Sequence, residues 1–364
     1  MRKQYLGLAL IAVILLAGAI GYVGTGAHLY DRYRTAFASY QFAPTGPCQA
    51  LIAWTPPSVI YSAFYVNAPS LVVVRYKSSD PETLRISVSV SRLTAEQSIQ
   101  VRAVPAMQEL NFKPPLLDGS VLDSFASQDQ IASQIRLRVR NASGTICDTS
   151  TPVTIKSRDW MHWYDVRDEN NDRYLAGWVT PYAPSITDLV GRSAQWLQEH
   201  PGLYQDTTSL DGYGEGHASS QDVRNQVNVI YDTLENVYKL RYAVDNVPYN
   251  RDERIQLPQD ILTRSAPVGM CLETTAILAS AVEHLGMRPF IIIIPGHAFL
   301  GVALSADVGA PIEYWETSDL NDGVSGQQAN IHGQNEYLTA RSGGHILGVV
   351  DIQYERQQGI DPIE

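Results

Sequence analysis

An apolar helix-like run followed at once by an apolar strand-like run constrains the fold of this chain more than any other feature. Apolar side chains recur at helical spacing from Cys271 onward, and Gly286 ends the pattern. The next run, from Phe290 to Leu300, contains four consecutive isoleucines and predicts a strand. Helices lead into this stretch and strands follow it, which predicts an α+β domain.

The same stretch carries a thiol, an imidazole and an acid in helix, strand, strand order. Cys271 opens the helix, His297 lies in the strand-like run, and a third run contains Glu316 and Asp319. A thiolate attacks a carbonyl, an imidazole transfers the proton, and a carboxylate orients the imidazole. A thiol at a helix start is in an environment that favours reactivity. The alternative is that Cys271 is only a small buried hydrophobic residue, as free cysteines commonly are.

Several short motifs resemble the transglutaminase-like superfamily of papain-type thiol enzymes, in the form of a bacterial membrane-anchored member. They are Gly-Met-Cys-Leu-Glu-Thr (269–274), Leu-Gly-Met-Arg-Pro (285–289), Pro-Gly-His-Ala-Phe-Leu (295–300), Trp-Glu-Thr (315–317), the upstream Arg-Ile-Gln-Leu-Pro (254–258) and the closing Val-Val-Asp-Ile (349–352) and Gly-Ile-Asp-Pro (359–362). The resemblance covers about residues 175–364. It implies a papain-like α+β domain with Cys271 as nucleophile, His297 as base and an acid within 316–319.

The identity of the acid differs from the family pattern. The family has Asp where Glu316 stands in this sequence, and Asp319 is the alternative acid. Alternation along a strand puts residues 314, 316 and 318 on one face, opposite the large apolar Trp315, and therefore favours Glu316. The backbone N–H of Cys271 is a candidate oxyanion donor, and Gln256 is a second candidate.

Composition excludes some classes of function. The net charge of −11 leaves no basic patch to neutralise phosphates, so we expect no nucleic-acid partner. The histidines and cysteines show no metal-ligand spacing, so we predict no metal and no cofactor. The predicted partner is a protein or peptide substrate.

The N-terminal residues predict a location outside the cytoplasm. Arg2 and Lys3 precede an uncharged apolar stretch that reaches about Val23, long enough to span a bilayer. We therefore predict a signal anchor, a transmembrane helix within residues 1–27, with a cleaved signal peptide as the alternative. The rest of the chain is then extracytoplasmic, at the cell surface or in the periplasm.

Residues 48–158 alternate apolar and polar side chains in several short runs separated by turn signals. This pattern predicts an immunoglobulin-like β-sandwich, preceded by a stem over 28–47 and followed by the transglutaminase-like domain over 159–364. Cys48 and Cys147 stand near the two ends of the sandwich. In an oxidising compartment they are expected to form a disulfide, the alternative being two unpaired buried thiols.

Two functions from different classes follow. The first is a membrane-anchored extracytoplasmic thiol enzyme with a Cys-His-Glu triad. It would act on amide or peptide carbonyls through a thioester intermediate, as a peptidase, an amidase or a transglutaminase. The second is an adhesion or scaffold protein whose transglutaminase-like domain has lost activity.

Overall fold

The computed structural model describes residues 52–67, 70–118, 121–122, 129–163, 170–205, 207–214, 218–244 and 252–363. These residues divide into two compact units. The first unit ends at Lys156. The second comprises Tyr61–Asn67 and the described residues from Ser157 onward.

The first unit is built from antiparallel strands. In chain order they are β1 (Ile52–Thr55), β2 (Val59–Tyr61), β3 (Val72–Tyr76), β4 (Glu82–Val90), β5 (Gln97–Ala103), β6 (Gln108–Phe112), β7 (Gln130–Asn141) and β8 (Gly144–Lys156). They form a three-stranded sheet in the order β1-β3-β6 and a five-stranded sheet in the order β2-β8-β7-β4-β5.

Each of these sheets buries one face. In β7, Ile135, Leu137 and Val139 are buried. Arg136, which lies between the first two, and Arg140, which follows the third, are exposed. The period-two pattern therefore predicts the inward face, because successive side chains on a strand point to opposite sides. The immunoglobulin-like assignment of this unit stays a prediction.

The second unit mixes helices with short strands. Its elements are α1 (Ser62–Asn67), β9 (Trp160–His162), a 3-10 helix (Asp172–Trp178), α2 (Pro184–Glu199), α3 (Ser220–Thr233), a π-helical turn (Leu234–Tyr238), β10 (Arg241–Tyr242), β11 (Asp252–Arg254), α4 (Pro258–Leu262), β12 (Val268–Gly269), α5 (Cys271–His284), β13 (Pro289–Ile294), β14 (His297–Ala303), β15 (Ile312–Trp315), α6 (Gly326–Gly343), β16 (Gly348–Asp351) and α7 (Ile352–Gln357).

An antiparallel sheet in the order β15-β14-β13-β16 forms the centre of this unit. Every residue of β13 is buried, because α5 packs against β13 and β14 while α6 packs on β15. Phe290, Ile292 and Ile294 join one apolar cluster with Phe299 and Tyr314. A strand covered on both faces explains the uninterrupted isoleucine run.

The predicted strand from Phe290 to Leu300 is two strands. A turn at Pro295–Gly296 separates β13 from β14, and Gly296 has a φ of 74°. A Pro-Gly pair favours such a turn, since glycine adopts positive φ without a side-chain clash. The turn places His297 at the first position of β14, at the turn end of the β13–β14 hairpin.

The mixed α+β class is confirmed, but the predicted fold class is wrong in one component. It included an N-terminal transmembrane helix, and in the described part of the chain no helix is both long enough and apolar enough to cross a bilayer. The segment 1–27 that gave rise to this prediction lies outside the described residues, as does the predicted stem over 28–47.

Candidate functional site

Cys271 is the first residue of α5. Met270 before it has an extended backbone, and Gly269 belongs to β12, which pairs in parallel with β10. A side chain at Gly269 would approach Thr274 to 3.2 Å, so glycine lets this strand pass close to the helix. The thiol of Cys271 is free and half-buried. The first residue of a helix has a backbone N–H without an acceptor inside the helix.

His297 and Glu316 form a hydrogen-bonded pair. The Nε2 atom of His297 lies 2.8 Å from Oε1 and 2.9 Å from Oε2 of Glu316. Strand register explains the approach. Leu300 pairs with Trp315, so the next residue along, Glu316, stands beside Phe299 on the face that also carries His297.

The carboxylate of Glu316 is buried and held by its own loop. It is 7% exposed, and its Oε1 also accepts hydrogen bonds of 2.8 Å from the backbone N–H groups of Thr317 and Ser318. Burial by itself raises the pKa of Glu316, but the hydrogen bond and charge of His297 and the Ser318 amide outweigh burial and lower that pKa. The acid is therefore stabilised as a carboxylate.

The imidazole of His297 is stabilised as a cation. Burial favours the neutral ring and lowers its pKa, but hydrogen bonding and charge from Cys271 and Glu316 together raise the pKa from 6.5 to about 10. Since Nε2 faces Glu316, Nδ1 is the ring nitrogen left for the thiol. Among the described residues, the Cys271 thiol interacts with the ring without a well-formed hydrogen bond, and catalytic hydrogen bonds are often poorly aligned before substrate binds.

Asp319 does not reach His297 in the structure. Its Oδ2 atom lies 2.7 Å from Nδ1 of His332, a residue of α6. Trp315 is fully buried and donates its indole N–H to Asn228 at 2.9 Å. The alternative acid thus has a partner of its own, away from the imidazole.

Gln256 is held at the base of α5 by two charged side chains. Its Nε2 donates to Oε1 of Glu273 at 3.1 Å, and its Oε1 accepts a hydrogen bond from Arg264. One of the two N–H bonds of the amide is therefore engaged, and the structure shows no contact between this amide and Cys271 within the described residues. Its role as an oxyanion donor stays a prediction.

Two residues near the thiol were not predicted from the sequence to belong to the site. The first is Glu273, which is 1% exposed. Besides the side chain of Gln256, it accepts the backbone N–H groups of Gln256 at 2.8 Å and of Met270 at 2.9 Å. Burial raises its pKa, which these donors and Arg264 partly counteract. The spacing of Glu273 from Met270 is that of a helix-capping acid, a signal present in the sequence.

The second of these residues is Tyr242 of β10. Burial raises the pKa of its phenol, and electrostatic interactions with Cys271 and Glu316 raise that pKa further. The hydroxyl therefore lies within electrostatic reach of both residues. Tyr242 pairs with Gly269 across the β10–β12 ladder. A pairing of two-residue strands has no periodic signal, which is why sequence reasoning passed over it.

Cys147 lies in β8, is buried and takes part in a disulfide. Its predicted partner, Cys48, lies outside the described residues, so the specific pairing stays a prediction. In the same described ranges, no group of three His, Cys, Asp or Glu side chains is arranged to hold a metal ion. The expectation that the protein needs neither metal nor cofactor stays a prediction as well.

No protein-family model matches this sequence, and no curated protein matches it significantly. The transglutaminase-like resemblance therefore depends on the motifs quoted above. The geometry of the site stands independently of that resemblance.

Proposed function

We propose that this protein is a thiol enzyme that acts on amide or peptide carbonyls. One observation carries the proposal. The imidazole of His297 is hydrogen-bonded to the buried carboxylate of Glu316, and interactions with that carboxylate and with the free thiol of Cys271 raise its pKa. A thiolate next to an imidazolium is the arrangement that activates sulfur as a nucleophile near neutral pH.

In the first half of the reaction, the sulfur of Cys271 attacks the carbonyl carbon and an oxyanion forms. The oxyanion accepts a hydrogen bond from the backbone N–H of Cys271, which is free of helical hydrogen bonding. His297 then gives its proton to the leaving nitrogen, the C–N bond breaks, and a thioester remains on Cys271. Glu316 keeps the ring oriented and stabilises its positive charge.

In the second half, neutral His297 takes a proton from the acceptor as it attacks the thioester carbonyl. The C–S bond then breaks, the product leaves, and Cys271 is again a thiolate beside protonated His297. Water as acceptor gives hydrolysis, which makes the protein a peptidase or amidase. An amine as acceptor gives cross-linking, which makes it a transglutaminase. Cys271, His297 and Glu316 serve both reactions. In either reaction the substrate is a protein or a peptide.

We also propose that the protein acts outside the cytoplasm. The disulfide at Cys147 supports this location, because disulfides persist in oxidising compartments and are rare where thiols are kept reduced.

The test is to incubate the protein with a peptide amide and a labelled primary amine, and to follow ammonia release, peptide cleavage and amine incorporation. We expect at least one of these with the natural sequence and none with Cys271→Ala. No turnover, combined with a Cys271 that reacts with alkylating agents no faster than the thiol of the unfolded chain, would favour the adhesion or scaffold alternative.

A further inference from the structure

A cavity of about 350 Å³ opens at the segment that leads into α5. Gly269 and Met270, the two residues before Cys271, form part of its wall, and Ala243, which follows Tyr242, forms another part. Because the Cα atoms of adjacent residues are about 3.8 Å apart, a peptide held at the sulfur of Cys271 can place its neighbouring residue in this cavity.

Among its described lining residues, the charged groups that this cavity presents to solvent are cationic. Arg254 and Arg264 line it and are exposed, whereas the third charged lining residue, Glu273, is buried and uses its carboxylate to accept three internal hydrogen bonds. The protein as a whole carries a net charge of −11. A locally positive cavity is thus an exception on an otherwise anionic protein.

Arg264 has donors left over for a ligand. It gives one N–H to the neutral amide oxygen of Gln256, and among the described residues no carboxylate lies within ion-pair distance of its guanidinium. Arg254, by contrast, pairs with the carboxylate of Asp159. A guanidinium has five N–H donors and matches a carboxylate with two parallel hydrogen bonds.

We propose that this cavity is a specificity subsite for an acidic side chain, Asp or Glu, next to the scissile amide of a peptide substrate, and that Arg264 binds its carboxylate. This inference rests on the proposed thiol chemistry of Cys271 and adds a substrate class to it. Arg254 contributes positive potential, while its pairing with Asp159 leaves Arg264 as the principal donor.

The test uses two peptidyl chloromethyl ketones that differ only in having Glu or Gln next to the warhead. The sulfur of Cys271 displaces chloride and forms a thioether, which intact mass detects without any need for turnover. The second-order labelling rates give a Glu-to-Gln ratio for the full-length chain. We expect a ratio of about tenfold, because a hydrogen bond between charged groups exceeds one to a neutral amide.

Arg264→Ala should lower this ratio to about one, whereas Arg264→Lys should retain part of it. Loss of the hydrogen bond from Arg264 to Gln256 acts on the labelling rates of both probes alike and therefore does not change their ratio. Arg241→Ala removes an exposed arginine of β10 that does not line the cavity, and should keep the full ratio. High salt should also reduce the ratio in the natural sequence. A ratio near one in the natural protein, or one that Arg264→Ala leaves unchanged, overturns the subsite.

The absolute rate with the Gln probe tests the proposed function separately. Rapid labelling without charge preference refutes the subsite alone. Labelling no faster than that of the unfolded chain refutes the thiol enzyme. The Glu-to-Gln ratio is measured whatever the absolute rate of labelling.

Discussion

Glu316 meets Nε2 of His297 with both carboxylate oxygens, at 2.8 and 2.9 Å. The bidentate contact fixes the plane of the imidazole and assigns its other nitrogen to the thiol side. Because Glu316 is itself held by two backbone N–H groups of its loop, the position of the ring depends on the chain immediately after β15.

Glu316→Gln should keep the fold and reduce kcat by about 10³- to 10⁴-fold. A neutral amide no longer stabilises the imidazolium and can select the wrong ring tautomer. Steady-state kinetics on a peptide amide gives the decrease, and circular dichroism with a thermal melt checks the fold.

Asp319→Asn is the matched control, since it neutralises an acid three residues away whose partner is His332. Its kcat should stay within about twofold of the natural value. If Asp319→Asn were the variant that lost activity, the orienting role would belong to Asp319.

The alkaline limit of activity should lie near pH 10. His297 must carry a proton to give to the leaving nitrogen, and its pKa is raised to about 10, so the imidazolium is lost only as pH rises through that value. The measurement is the pH profile of kcat/KM. In Glu316→Gln the limit should move to lower pH, because burial then acts against the cation with less compensation. A limit near pH 7 in the natural protein would contradict the pKa shift.

The same shift contributes to the free energy of unfolding. Since the folded pKa of His297 exceeds the unfolded value of about 6.5, the stabilisation is fully present below pH 6.5 and is lost as pH rises to about 10. Replacing His297 by Gln should therefore destabilise the protein more at pH 6 than at pH 10.5, as measured by denaturant unfolding at the two pH values. An equal loss of stability at both pH values would show that His297 stabilises the fold through packing and not through its charge.

Local patterns in the sequence predicted the parts of the site that depend on neighbouring residues. Cys271 begins a helix because Gly269 and the apolar run after it define a helix start, and Glu316 faces His297 because alternation along a strand carries on one residue past Trp315. The strand itself ends at Trp315, so the alternation held for one residue beyond it.

Contacts between residues that are far apart in the sequence could not be predicted from local patterns. Tyr242 comes near the thiol through a two-residue ladder with Gly269, which leaves no periodicity to detect. Helix α6 was not predicted either, although Ser325 caps it by accepting a hydrogen bond from the backbone N–H of Gln328. Its sequence is polar and its apolar stripe is weak, so the helix depends on packing against β15.

The disulfide can be tested by counting thiols. The chain has three cysteines, so a Cys48–Cys147 bridge leaves one reactive thiol in the unfolded protein without reductant, and three with it. Closing a loop of about 100 residues stabilises by about 4–5 kcal/mol in the chain-entropy model. Cys147→Ser should lower the melting temperature, and a non-reducing peptide map identifies the partner. A natural protein that shows two or more thiols when unfolded without reductant would contradict the bridge.

The oxyanion donors can be separated by two conservative variants. Gln256→Glu removes the N–H donors of the amide, and Tyr242→Phe removes only the phenolic hydroxyl. A side chain that binds the oxyanion acts in the transition state, so its loss should lower kcat by about 10²-fold and change KM little. Arg241→Ala, next to Tyr242 on β10 but exposed, controls for disturbance of the β10–β12 ladder. A kcat decrease in Tyr242→Phe alone would move the role from Gln256 to Tyr242, and no decrease in either would leave the backbone N–H of Cys271 as the donor.

The Gln256→Glu variant also needs a stability measurement, because its new carboxylate would face the buried carboxylate of Glu273 that now accepts the amide at 3.1 Å. Gln256→Ala avoids that repulsion, and a matching kcat loss in both Gln256 variants would assign the effect to the missing donor.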